Sequence, residues 1–131
     1  MIELEFVVWE FVRLMVELEE SDGANKAKGA LAAWQTPWQE IDDRLTELSK
    51  SDPDEFAQLM MDQTISVPCA ARGHLSEAVD AVGRVTRKLE AEITKIHGDA
   101  ERKDELKFEL AELTELVDRL RAIDPAMLSG K

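Results

Sequence analysis

Cysteine and histidine are nearly missing from this chain: 131 residues contain one cysteine, Cys69, and two histidines, His74 and His97. Soft-metal centres and nucleophile–base pairs are built mainly from those residue types, so most such chemistry is excluded at the outset. Cys69 and His74 stand five residues apart, which is not one helical face, and a lone cysteine reads most simply as a small packed hydrophobe. His97 lies beside Gly98 and reads as a turn residue. A single cysteine forms no intramolecular disulfide, and the amino terminus lacks the basic region and cleavage site of a secretory leader, so a cytoplasmic location is expected. Basic residues are also scarce. Sixteen Lys and Arg stand against 28 Asp and Glu, a formal net charge of −12, and direct nucleic-acid binding, which is driven largely by cations, is not expected. Long uncharged apolar runs are absent too. The most apolar stretch is interrupted by Glu3, Glu5, Glu10, Arg13 and Glu17, so no membrane span is expected. We find no internal repeat, no low-complexity linker and no segment that demands assignment as a strand.

What the chain does have is apolar surface at helical spacing. Hydrophobic residues make up 44% of it, sufficient for one core without disulfide staples. The pattern predicts a first helix over residues 2–20. On its wheel Glu3, Glu10, Arg13 and Glu17 share one narrow polar stripe, and Leu4, Val7, Val8, Phe11, Val12, Leu14, Met15 and Leu18 fill the opposite side. Trp9 and Val16 widen that arc beyond half the circumference, which implies two or more packing neighbours. A second helix is predicted over 24–50, with a seam at Ala27, Leu31, Trp34, Trp38, Ile41, Leu45 and Leu48. Thr36, Pro37 and Gln39 resemble a fresh helix start, so a kink or break is expected at 36–37. Ser51-Asp52-Pro53-Asp54-Glu55 supplies a cap, a first-turn proline and acids where the helix dipole favours them, opening a short third helix over 53–65 whose inner face is Phe56, Leu59 and Met60. Gln63 continues that face, and the helix must end by Val67, before Pro68. A fourth helix over 69–97 carries Leu75, Val79, Val82, Thr86, Leu89, Ile93 and Ile96 in heptad register. His97-Gly98-Asp99 then reverses the chain into a fifth helix over 99–123, with its seam at Leu106, Leu110, Leu113, Val117 and Leu120. Residues 124–131 read as a frayed tail. The expected fold is all-α and a single domain over 1–131: an antiparallel bundle of four long helices plus one short helix, ending in a coiled-coil-like helical hairpin.

Three functional readings follow from these patterns. The first is a non-enzymatic protein–protein interaction module, such as an adaptor, a chaperone or a small subunit of a complex, because the apolar helical surface exceeds what a short chain covers by itself. Its partner would be another protein or a second copy in a homodimer, and no cofactor is expected. Trp9, Trp34, Trp38, Phe108 and Leu116 are the candidate interface residues. The two tryptophans of the second helix read most simply as core anchors, and Phe108 occupies an outward position on the fifth helix. Arg84, Lys88 and Lys95 line one face of the fourth helix and read as a salt-bridging surface. The second reading uses the concentrated negative charge of Asp52, Asp54, Glu55 and Asp62: an acidic surface that occupies a partner's basic groove by imitating nucleic-acid phosphates.

The third reading is enzymatic. Glu17-x-x-Glu20 and Glu40-x-x-Asp43 place four acids on two successive helices, and this spacing resembles the paired acidic motifs of all-α nucleoside triphosphate pyrophosphohydrolases. The resemblance covers residues 17–43 and implies magnesium held by Glu17, Glu20, Glu40 and Asp43 against substrate phosphates. Glu109, Glu112, Glu115 and Asp118 repeat similar spacing on the fifth helix, as an acidic solvent face does.

Overall fold

The structure is a computed structural model that describes residues 2–21 and 29–128. It is mostly helical. Strand β1 (Ile2–Val7) leads into α1 (Val8–Ser21), followed by α2 (Gly29–Ala33), α3 (Gln35–Ser51), α4 (Pro53–Asp62), β2 (Thr64–Cys69), α5 (Arg72–Lys95) and α6 (Ala100–Arg121), with a 3-10 turn at Pro125–Met127. The predicted start of the second helix, its seam residue Ala27 and the end of the tail lie outside the described residues.

The two strands correct the purely helical expectation. β1 pairs with β2 antiparallel, with Leu4 opposite Val67 and Phe6 opposite Ile65. Its sequence alternates strictly, Ile2, Leu4 and Phe6 on one face and Glu3 and Glu5 on the other, and period two is the signature of a half-buried strand. Glu5 had no place on the polar stripe of a helix beginning at residue 2. Residues 64–69 alternate likewise: Ile65, Val67 and Cys69 face inward, while Thr64, Ser66 and Pro68 face outward. Pro68, which has no amide proton, is tolerated because a strand in a two-stranded sheet keeps one unpaired edge. Consequently α1 begins at Val8 rather than residue 2, α4 ends at Asp62 rather than 65, and α5 begins at Arg72 rather than 69.

The predicted break in the second helix is present but sits at Trp34, between α2 and α3, not at 36–37. Pro37 explains the offset. It lacks the N–H that would bond the carbonyl four residues earlier, at Ala33, and its ring crowds that carbonyl, so the ladder is interrupted upstream of the proline itself. The bonds on either side survive: Trp34 N–H donates to Ala30 O at 3.0 Å and Trp38 N–H to Trp34 O at 3.0 Å. At the other junctions the local chemistry holds. Asp52 ends α3 and caps α4, its carboxylate accepting from Glu55 N–H at 3.1 Å. Gly98 adopts φ +87° and Asp99 caps α6 through Arg102 N–H at 3.0 Å, so α6 doubles back on α5.

The core runs through the sheet and the helices. Phe6, Phe11, Trp34 and Trp38 form its aromatic centre, with Phe6–Phe11 and Phe11–Trp38 ring centroids 5.6 and 6.3 Å apart. Around them α1 packs against α2, α4, α5 and both strands. The tail is anchored rather than frayed as far as Leu128, which is buried in the same core. Among the described residues no helix is long and apolar enough to cross a membrane.

Candidate interaction groove

α1 is wrapped on one side by the core and left partly open on the other. On the open side Trp9, Val12, Arg13 and Val16 of α1, Met60 and Met61 of α4, and Phe108 and Glu109 of α6 line a groove of about 400 Å³. A second hollow of about 740 Å³ continues it along α6, sharing Met61, Phe108 and Glu109 and adding Glu101, Asp104 and Glu105. Four large hydrophobic side chains are exposed among the described residues: Val16 at 37%, Met61 at 52%, Phe108 at 53% and Met127 at 60%. Three of them line this one groove, a concentration that scattered surface hydrophobes do not produce. Arg13 and Glu109 bridge it at 2.9 Å, both partly exposed.

The other candidate interface residues are core residues. Trp34 is fully buried, its indole N–H donating to Pro68 O at 2.8 Å, which ties the break between α2 and α3 to β2. Trp38 is buried and donates to Glu19 Oε1 at 2.5 Å. Leu116 is 1% exposed, and Trp9 shows only a sliver of its ring to the groove floor at 7%. Phe108 alone of the five is open to solvent. Met61 carried no signal of its own beyond its neighbour Met60, because the inner face of that short helix was read as Phe56, Leu59 and Met60.

Two glutamates expected on the polar stripe of the first helix are buried instead, and each is matched chemically. Glu17, 4% exposed, is held by Lys88 and by Arg84 at 3.4 Å, and Arg84 also donates to Ser21 Oγ at 2.8 Å. The basic face of the fourth predicted helix therefore clamps α1, with Lys95 outside that contact. Glu10, 1% exposed, sits at the third position of α1 and accepts from the Val7 N–H at 3.0 Å, the backbone half of a capping box. Burial raises the Glu10 pKa from its ordinary value of 4.5; the Val7 N–H and the Arg119 guanidinium oppose the rise, and Glu112 and Glu115 add to it.

The four acids of the enzymatic reading are not brought together. Glu17 faces Arg84 and Lys88, Glu20 lies 3.9 Å from Lys88, and Glu40 and Asp43 are exposed on α3, where Asp43 accepts from Gln39. Among the described residues no group of three or more His, Cys, Asp or Glu side chains is placed to hold a metal ion. Cys69 is fully buried, and burial pushes its thiol pKa up, the reverse of what a nucleophile needs. His74 packs edge-on against Trp34, with ring centroids 6.5 Å apart. On α4, Asp52, Asp54, Glu55 and Asp62 are all exposed, but Asp52 is engaged as the cap and Glu55 lies 3.3 Å from Arg44. No family model, curated protein or solved structure matches this chain.

Proposed function

We propose that the chain is a protein–protein interaction module, an adaptor or small subunit, that works through the apolar groove between α1, α4 and α6. The observation that carries this reading is the gathering of Val16, Met61 and Phe108, three of the exposed large hydrophobes, along one continuous groove. Burying such side chains contributes about 1.5–3 kcal/mol each when a partner covers them fully, so three anchors are enough to sustain a specific contact. The acidic-mimic reading has less behind it: two of its four carboxylates already serve contacts within the chain. The magnesium reading also has less behind it, since no three such side chains converge on a metal position among the described residues.

The test is a double substitution, Met61→Ser with Phe108→Ser, at two exposed positions where the fold itself should change by no more than about 0.5 kcal/mol. Light scattering and pull-down from the native host compare it with the unaltered chain and with Glu40→Gln/Asp42→Asn on α3. A protein or second copy retained by the unaltered chain and the α3 variant, but released by the groove variant, supports the module. Identical retention by all three sinks it, as does a clean monomer that retains nothing.

A further inference from the structure

The geometry points to a basic amphipathic helix as the occupant of the groove, a partner segment with one apolar face flanked by Lys or Arg. This rests on the interaction-module reading and narrows it to one chemistry. The floor is apolar, but the rim is acidic. Along α6, Glu101, Asp104, Glu105 and Glu109 recur with Phe108 at spacings of three and four, which places them on one helix face beside the groove. The bases of the same helix do not cancel them. Lys103 and Lys107 fall off that face by the same periodicity, and Arg102 meets Glu105 only at 3.7 Å. Among the residues lining the two hollows the one base is Arg13, already spent on Glu109 at 2.9 Å. Glu101 and Asp104 have no ion-pair partner among the described residues, apart from whatever enters the groove.

A second copy of this chain fits poorly, because it would set the same acidic rim against itself and carry its own net charge of −12 to the contact. An extended strand would need a row of free backbone groups, whereas the groove is walled by the side chains of three helices. The stretch of α6 that lines the two hollows, from Glu101 to Glu109, is about 12 Å long at the rise of an α-helix, so the wall accommodates roughly two turns of a docked helix. Such a helix would place apolar residues at i, i+3 or i+4, and i+7 on Val16, Met61 and Phe108, and its flanking cations against the three rim acids at 101, 104 and 105.

The experiment uses the full chain and three synthetic amphipathic helices of about four turns, each with the same leucine face and with lysine, glutamine or glutamate on the polar face, followed by fluorescence anisotropy. The Leu/Lys helix is expected to bind at least about tenfold more tightly than the Leu/Gln helix, and the Leu/Glu helix not at all. Raising sodium chloride from about 0.05 M to about 0.5 M should remove most of that advantage. Met61→Ser/Phe108→Ser should weaken the Leu/Lys helix about tenfold or more, and Glu101→Gln/Asp104→Asn/Glu105→Gln should bring it down to the level of the Leu/Gln helix. Glu40→Gln/Asp42→Asn/Glu47→Gln, which removes as many acids from α3, should leave it unchanged. Equal binding of the Leu/Lys and Leu/Gln helices, lost in the groove variant, overturns the basic partner while leaving the interaction groove standing. Leu/Lys binding that ignores Met61 and Phe108 and responds equally to both acid triples overturns both, and failure of every helix to bind overturns the helical occupant.

Discussion

At the scale of single residues, Glu10 shows how a position can satisfy one rule by breaking another. Its carboxylate closes the first turn of α1 by accepting from Val7 N–H, yet it is almost wholly removed from water, with Arg119 3.6 Å away as its one ion-pair partner among the described residues. Burial therefore raises its pKa above 4.5 in the folded chain. A carboxylic acid whose pKa is raised on folding holds its proton more tightly in the native state. Its contribution to stability is then fully present below the unfolded pKa and is lost as pH rises through the folded one. Glu10→Gln keeps an oxygen for the Val7 N–H and removes the charge. It is expected to raise the melting temperature at pH 7, to leave it nearly unchanged at pH 4, and to flatten the fall in stability between them; a variant less stable than the original chain at pH 7 would show that the Arg119 contact outweighs desolvation. Glu17 is the contrasting case, since Lys88 and Arg84 both close on it and α5 supplies a full complement of charge.

At the scale of elements, α2 illustrates how a short helix is held by its surroundings rather than by its own propensity, which five residues cannot supply. Its first residue, Gly29, has φ +73°, and the Glu77 carboxylate from α5 accepts from Ala30 N–H at 2.8 Å. A Cβ at position 29 would land on that carboxylate. Gly29→Ala is therefore expected to cost about 2–3 kcal/mol, roughly 1–2 from the left-handed backbone and the remainder from the displaced cap, measured by urea unfolding. A loss of only about 1–2 kcal/mol would mean that Glu77 shifts freely and the backbone alone is strained, and one below about 0.5 kcal/mol would overturn both contributions. Much of the helical architecture was legible in the sequence: the caps at Asp52 and Asp99, the glycine reversal at 98, and the periodicity of α5 and α6. The strands were legible as well, in the alternation at 2–7 and 64–69, but Leu4 and Val7 fit a helical wheel too, and six residues are too few to choose between the two periods until the partner strand is known. The groove was half legible. Phe108 stood out as an apolar residue on an outward face, whereas Val16 and Met61 are picked out by lining the groove between α1, α4 and α6, a juxtaposition that no local pattern encodes.

At the scale of the whole molecule, the dominant fact is the excess of 28 acids over 16 bases. Ion pairs and repulsion compete here, and the exposures decide between them. Arg44–Glu55, Arg102–Glu92 and Arg102–Glu105 join side chains that are each about half exposed or more, and such pairs contribute about 0–1 kcal/mol each. The three contacts to buried glutamates, Lys88 and Arg84 to Glu17 and Arg119 to Glu10, are shielded from solvent on the carboxylate side and are screened less by salt. What added salt mainly screens, then, is the unbalanced repulsion among carboxylates spread over the surface, and repulsion of that kind destabilises the compact state. The melting temperature is accordingly expected to rise by a few degrees between about 0.02 M and about 0.3 M sodium chloride, an increment of roughly 0.5–1 kcal/mol. Replacing the exposed carboxylates at 40, 42 and 47 by amides should raise it at low salt and shrink the salt effect, since the same repulsion has been removed covalently. A melting temperature that falls as salt is added would show that the ion pairs, with the Lys88–Glu17–Arg84 clamp foremost among them, outweigh the net charge.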